Sequence, residues 1–218
     1  MTFQQGADAA VTDYRGKLIL PGFVDTHLHY PQTDIIASHG EQLLEWLEKY
    51  TFPAERRFAD PAHAAEVADF FCAELLRNGT TTAAAFATVH AASVDALFEA
   101  AHARRMRLIT GKVLMDRNCP DFLCDTAAGG DAESKALIER WHGRDRLLYA
   151  ITPRFAPTST PTQMQLAGRL FAEHPGVFLQ SHLAENRAEV DWAAQLYPEA
   201  RSYLDVYARF GQLGMRAV

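Results

Sequence analysis

Apolar residues recur along the chain in two alternating patterns. Short continuous runs are typical of buried strands, and longer stretches show the three-to-four-residue spacing of helices. Strands are predicted at 17–25, 80–87, 107–115, 147–152 and 176–182. Helices are predicted at 43–50, 60–78, 94–105, 131–142, 161–173, 187–196 and 203–213. This alternation predicts parallel βαβ units with right-handed crossovers.

Local signals define several of these boundaries. Asp60 followed by Pro61 provides an N-cap and a first helical residue. Asn78–Gly79 provides a C-cap for the same helix. The helix before it is expected to stop near Pro53, because proline inside a helix removes a hydrogen bond. The first strand is broken by Pro21–Gly22, but its apolar residues suit a buried position.

Two architectures fit this order of elements, an open doubly wound sheet and a (β/α)8 barrel. No Gly-x-Gly-x-x-Gly follows the first strand, which weakens the dinucleotide-binding form of the open sheet. Polar residues favour the barrel, because they fall at or just past strand C-terminal ends, where barrel enzymes place their chemistry. These residues are His27, His29, Asp116, Arg117, Arg154, His182 and Glu185. A full barrel takes about 250 residues and eight strands. The sequence therefore predicts an α/β fold comprising about the first five βα units of a TIM-type barrel.

Composition narrows the range of partners. The chain has 218 residues, of which 48% are hydrophobic and 22% charged, and its net charge is -6. This acidic balance argues against nucleic acid or an anionic membrane as a partner, since both require clustered Lys and Arg. The three cysteines suggest no disulfide framework, and no secretory signal or membrane-length apolar run is present in the sequence. We therefore expect a cytoplasmic protein that contacts no membrane.

The strongest chemical signal is the pair His27 and His29 at the end of the first predicted strand. Residues two apart on a strand point to the same face, so both imidazoles can bind one cation. Zinc would accept them at distances of roughly 2.0–2.1 Å. The alternative is two unrelated polar histidines, but the preceding PGFVD run (21–25) places the pair at the mouth of a strand.

A second group of residues, His182 and Glu185, follows the last predicted strand. His182 could supply a third metal ligand, and Glu185 could act as a general acid/base beside a metal-activated water. The alternative is a partly buried histidine at a strand end and an acidic residue favoured by a helix dipole. The presence of His27 and His29 favours the metal site.

Three further residues could hold a planar substrate. The guanidinium of Arg154 can donate two parallel hydrogen bonds to a planar acceptor edge, and Phe155 can stack on an aromatic ring. The residues alone leave open whether Arg154 instead pairs with a carboxylate, with Phe155 as a core residue. Gln32 follows the histidine pair closely enough to read a purine or pyrimidine edge, although a simple loop glutamine is the alternative.

These segments together resemble the amidohydrolase superfamily of metal-dependent hydrolases, and within it the guanine deaminases. The resemblance runs from about Gly16 onward. The His-x-His pair is common to the superfamily, whereas the run 46–55 and the Pro-Arg-Phe triplet are more specific to guanine deaminases. The segments are PGFVDTHLHYPQ (21–32), LEWLEKYTFPAE (44–55), NGTTTA (78–83), GKVLMDRN (111–118), ITPRF (151–155) and QSHLAEN (180–186).

The resemblance implies hydrolysis of guanine to xanthine and ammonia in purine catabolism. It implies Zn2+ as the cofactor, with Fe2+ as a possible alternative, bound by His27, His29 and His182. Glu185 would transfer protons, and a clamp of Gln32, Arg154 and Phe155 would hold the purine. The full-length protein is expected to be a homodimer, as family members commonly are.

The resemblance also suggests that the chain is cut at both ends. Residues 1–16 are expected to be a remnant of an N-terminal β-sandwich, and 17–218 the N-terminal part of the barrel. A further histidine and an aspartate that family members use are expected beyond the last residue. We therefore expect the 218 residues alone to have little or no activity. The alternatives are another amidohydrolase, such as a different deaminase or a chlorohydrolase, and a non-catalytic remnant.

Overall fold

The computed structural model describes residues 10–40 and 42–218, in which short parallel strands alternate with helices. The strands are β1 (Phe23–His29), β2 (Thr80–Phe86), β3 (Arg107–Gly111), β4 (Val113–Leu114), β5 (Leu147–Pro153) and β6 (Phe178–Leu179). The helices are α1 (Leu43–Trp46), α2 (Phe52–Arg56), α3 (Pro61–Arg77), α4 (Ala91–Ala103), α5 (Ala127–Trp141), α6 (Pro161–Glu173), α7 (Arg187–Leu196) and α8 (Tyr203–Arg209). None of these helices is long and apolar enough to cross a membrane.

All strand pairings are parallel, and neighbours in the sheet follow the order of the chain. β3 and β4 form the two parts of one predicted strand, interrupted at Lys112, and both pair with β5. β1 and β6 lie at opposite sides of the arrangement, beside β2 and β5 respectively. A doubly wound sheet would reverse its strand order at a switch point. The observed order confirms the predicted α/β fold, an arc of a (β/α) barrel.

The main core lies between the sheet and the helices that cover its outer face. Alanines on β2 leave room for α4, where Leu97 and Phe98 are fully buried. The Phe98 ring stacks on Trp141 of α5, with ring centroids 5.3 Å apart. This packing holds α4 and α5 together outside the sheet, and the parallel pairing of the strands brings their C-terminal ends to one edge.

The beginning of the first strand differs from the prediction. β1 starts at Phe23, and residues 17–22 form no strand. Pro21 provides no backbone donor for pairing, and among the described residues β1 pairs along one side only, with β2. Phe23 and Val24 are therefore 60% and 64% exposed, and the prediction of a buried strand is wrong.

The predicted N-terminal domain remnant, residues 1–16, is described only in part. Residues 1–9 lie outside the described residues, and 10–16 contain neither helix nor strand. The assignment of these residues to a β-sandwich, like the boundary at residue 17, stays a prediction.

The helix predicted to stop near Pro53 continues past it. A π-helical turn at Leu47–Thr51 connects α1 to α2, and the Phe52 N–H bonds to the Leu47 carbonyl. Pro53 then occupies the first turn of α2, where a missing N–H costs little. The prediction was wrong because a π turn leaves no recognisable pattern in the sequence. Its consequence is that Glu55 reaches the interior.

The last predicted strand, 176–182, is reduced to the two residues of β6. The extended chain nevertheless continues to follow β5. The Gln180 N–H bonds to the Ile151 carbonyl at 3.0 Å, and the His182 N–H bonds to the Arg154 carbonyl at 3.0 Å. These bonds place His182 at the same edge as the end of β1.

Candidate metal centre

Three histidines converge at the C-terminal edge of the strands. His27 and His29 come from β1 and His182 from the segment after β6, and one ring nitrogen of each lies within 4.8 Å of the others. The Nε2 atoms of His29 and His182 are 3.0 Å apart. Two bonds of about 2.0–2.1 Å can meet at one ion across that separation. The structure thus brings together the three predicted ligands.

A backbone contact sets the orientation of the His182 ring. Its Nδ1 lies 2.7 Å from the Arg154 carbonyl oxygen. A carbonyl can only accept, so Nδ1 carries the proton and the Nε2 lone pair faces the other histidines. Burial, together with the charge of Arg154, lowers the pKa of His182 to about 3, so this ring is neutral at pH 7.

The surroundings of His29 disfavour a protonated imidazole ring. Burial, followed by the nearby His182, holds its pKa well below the usual value. Its Nδ1 is buried and has no hydrogen-bond partner among the described residues. With the proton on Nδ1, that donor is unpaired within residues 10–40 and 42–218, and two Nε2 lone pairs face each other at 3.0 Å; with the proton on Nε2, that atom donates to His182 and Nδ1 is a buried acceptor without a partner there. A cation held by the three histidines would use the lone pairs of the first arrangement, so the three residues fit a metal ion.

Phe86 forms a floor under the three imidazoles. Its ring is stacked on His29 with centroids 4.6 Å apart, lies 4.4 Å from His182, and meets His27 edge-on at 5.5 Å. Sequence reasoning missed it because a phenylalanine in an apolar strand is most simply a core residue. Its place as the last residue of β2, in register with His29, becomes visible only in the structure.

Replacing Phe86 with leucine is expected to lower zinc affinity by about tenfold, since disturbing groups that orient metal ligands costs about 10–100-fold. A competition titration of the purified chain with a chromophoric zinc chelator measures this change. Phe98→Leu is the matched control, because Phe98 is equally buried but packs on Trp141. Equal affinities of the two variants would contradict a role for Phe86 in orienting the ligands.

Arg154 lies beside the histidines and is only 2% exposed. Its Nη1 donates to both carboxylate oxygens of Glu55, at 2.8 and 2.9 Å. Burial raises the pKa of Glu55, and the charge of Arg154 opposes that effect. The guanidinium carbon also lies 5.3 Å from the centre of the Phe52 ring. Arg154 does pair with a carboxylate, therefore, but that pairing uses a single nitrogen.

Glu185 has the surroundings of a proton carrier. It is an exposed residue, but partial desolvation of its carboxyl group, followed by the charge of the neighbouring Glu189, raises its pKa, and His27 opposes this effect. Its backbone N–H bonds to a Glu189 carboxylate oxygen at 2.9 Å. The preceding Ala184 has φ 57°, a left-handed conformation uncommon for a residue other than glycine. Such conformations concentrate at functional sites.

One cavity of about 780 Å³ connects these residues, a volume typical of small-molecule sites. Gln32 reaches it from a 3-10 helix, Tyr30–Ile35, that directly follows β1. All seven residues predicted from the sequence line this cavity: His27, His29, Gln32, Arg154, Phe155, His182 and Glu185.

Two other polar residues at a strand end serve the scaffold. The Asp116 carboxylate accepts hydrogen bonds from the Thr160 backbone N–H at 2.6 Å and from its hydroxyl at 2.5 Å. It thereby supports the N-terminus of α6, where Thr160 is the N-cap. The Arg117 guanidinium lies over the Tyr197 ring at 5.0 Å. Neither residue lines the cavity.

Comparisons with known proteins agree with this geometry. A model of the amidohydrolase family matches residues 18–217. A guanine deaminase from Escherichia coli K12 is 60% identical over 208 residues, which cover 95% of this chain and 47% of that protein. The chain spans about half the length of the curated relatives it matches.

Solved structures of guanine deaminases also match this chain. The structure of E. coli guanine deaminase matches with a TM-score of 0.89 and 58% identity, over 90% of this chain and 46% of that one. The structure of guanine deaminase from C. acetobutylicum, with guanine bound in its active site, matches with a TM-score of 0.87 and 32% identity. That match covers 89% of this chain and 47% of the other.

Proposed function

The chain belongs to the amidohydrolase family, and from that membership we propose that it forms part of an enzyme that hydrolyses guanine to xanthine and ammonia. The central observation is that three histidines, an acidic residue and the predicted purine clamp line one cavity. High identity to guanine deaminases, over nearly the whole of this chain, supports guanine as the substrate.

We propose zinc as the metal, with ferrous iron as the alternative that the same ligands accept. When bound, the ion lowers the pKa of a water molecule and so supplies a nucleophile at neutral pH. The chain's contribution is to aim the three imidazoles at one point, while burial lowers the pKa values of His29 and His182. The hydrogen bond from His182 Nδ1 to the Arg154 carbonyl orients one ring, and the stacked Phe86 orients His29.

The remaining cavity residues bind the purine and transfer protons. Gln32 has an amide that can both donate and accept along a purine edge, and Arg154 adds donors only. Phe155 closes the apolar side of the cavity, against Trp192. Glu185 gives a proton to a ring nitrogen and recovers one from the attacking water. The other proton of that water leaves with the amino group as ammonia, and the water's oxygen replaces the amino group. The C–N bond broken and the C–O bond formed convert guanine plus water to xanthine plus ammonia.

A chimera provides the direct test, because the chain spans only part of its relatives. Residues 1–218 are fused to the portion of E. coli guanine deaminase that the match does not cover. We expect the chimera to form xanthine from guanine, and to prefer guanine to adenine, cytosine and a chloro-triazine. Xanthine is followed by its absorbance, and ammonia by a coupled assay.

The E. coli portion of the chimera also contributes residues, so a preference for guanine could come from either part. An Arg154→Gln chimera tests whether residues of this chain contribute to that preference. It is expected to have a higher KM for guanine than the parent chimera. A folded, metal-loaded chimera that ignores guanine but hydrolyses another compound of the panel would overturn the proposed substrate.

Two further expectations accompany this function. We propose that the full-length protein is a homodimer, for which family resemblance is the support. We also propose a cytoplasmic location, on the strength of the three free cysteines.

A further inference from the structure

Glu55 is a completely buried carboxylate next to the cavity. Its exposed fraction is 0%, although carboxylates are rarely buried without a partner. Both of its oxygens accept from one atom, Nη1 of Arg154, at 2.8 and 2.9 Å. It does not line the cavity itself. Any effect of Glu55 on a bound molecule therefore acts through Arg154.

The pairing divides the guanidinium into two parts. Nη1 is occupied by Glu55, whereas Nη2 and Nε make no hydrogen bond with any atom of residues 10–40 and 42–218. Arg154 nevertheless lines the cavity, and the Phe52 ring lies against its guanidinium. Glu55 therefore holds the guanidinium at Nη1, and the Phe52 ring holds one of its faces. The edge formed by Nη2 and Nε keeps its N–H donors unused among the described residues.

Those unused donors match one edge of the substrate. Guanine presents two acceptors side by side, O6 and N7, and an arginine can donate to both. Adenine presents an amino donor in place of O6. A fixed, donor-only edge therefore favours a 6-oxopurine and leaves a 6-aminopurine with an unmatched donor.

We propose that Glu55 is a positioning residue for substrate specificity, which holds the Arg154 guanidinium so that its free N–H edge pairs with the 6-oxo and N7 acceptors of the purine. This inference rests on the proposed function. The competing view is that Glu55 only neutralises a buried charge. Removing one partner of a buried pair destabilises a protein in either case, so a loss of stability does not separate the two views.

Discrimination between two purines does separate them. The test uses the chimera with guanine and with 2-aminopurine, which has the same ring and amino group but lacks the 6-oxo group. In Glu55→Gln, we expect KM for guanine to rise by at least about tenfold, since a bidentate arginine contact contributes discrimination of that order. The inhibition constant of 2-aminopurine, which keeps N7 but lacks the 6-oxo acceptor, is expected to rise by a clearly smaller factor. Values of kcat for guanine and the zinc content are expected to stay close to those of the parent.

Two more variants keep the test decisive if Glu55→Gln does not fold. Glu55→Asp keeps the charge but draws the carboxylate back by one methylene, and it is expected to show a smaller rise in KM for guanine than Glu55→Gln shows. The double variant with Glu55→Gln and Arg154→Gln replaces the ion pair by two amides. It is expected to discriminate no worse than Arg154→Gln alone, because the two residues act as a unit.

An equal loss of affinity for guanine and 2-aminopurine, or a fall in thermal stability with unchanged discrimination, would overturn the positioning role. That result would leave guanine deamination by the parent chimera intact. Failure of the parent chimera to act on guanine would instead refute the proposed function and, with it, the role of Glu55.

Discussion

Replacing His182 with alanine will lower the zinc affinity of the chain by at least about 100-fold. Altering a residue that merely orients a ligand costs about 10–100-fold, and this change removes a ligand itself. The Nε2 atom of His182 also lies 3.0 Å from the Nε2 atom of His29. Without it, only the two imidazoles of β1 remain in the cluster, and His27 is exposed to solvent.

The measurement is a competition titration with a chromophoric zinc chelator at neutral pH. At that pH His182 and His29 are neutral, because burial lowers their pKa values. His102→Ala is the matched control, since His102 lies on α4 and outside the histidine cluster. Its affinity should equal that of the unmodified chain. If His182→Ala still binds zinc as tightly as the control, the ion is held elsewhere and the assigned centre is wrong.

The histidines of this centre could be predicted because each signal is local. A spacing of two on a strand places His27 and His29 on one face. His182 required one further step, that the C-terminal ends of parallel strands share an edge. The same step placed Arg154 and Glu185 beside them, and the cavity contains all five.

Glu55 and Phe86 could not be assigned in the same way. Glu55 is 99 residues from Arg154 in the sequence, and its burial depends on a helix that continues past Pro53 through a π turn. Phe86 has an ordinary strand-forming sequence around it, and its contacts with the histidines arise from strand register. Local spacing in the sequence predicts neither a contact between distant residues nor the register of two strands. Both become visible only in the three-dimensional structure.

The exposed start of β1 has a related explanation. Hydrophobicity indicates that a segment can be buried, but the neighbouring strands decide whether it is. β1 pairs along one side only among the described residues, so Phe23 and Val24 stay exposed while Tyr30, just beyond the strand, is completely buried.

Replacing Glu185 with glutamine in the chimera will lower kcat for guanine by about 10²–10⁴-fold, the usual contribution of a positioned general acid/base. Glutamine has nearly the same shape as glutamate but cannot donate and recover a proton. Partial desolvation and the nearby Glu189 raise the pKa of Glu185, so the carboxyl group holds its proton to a higher pH than a free glutamate does. Under the proposed function, the carboxyl group passes its proton to a ring nitrogen of the substrate.

The pattern of the loss matters as much as its size. Zinc affinity should not change, because Glu185 is not a member of the three-histidine cluster, and KM for guanine should change little if the carboxyl transfers protons without holding the ring. Glu139→Gln, at an exposed position of α5, serves as the matched control and should retain full activity. A Glu185→Gln chimera with an unchanged kcat would assign proton transfer to another group. A loss of zinc together with activity would make Glu185 part of the metal site, so zinc content has to be measured on the same samples as kcat.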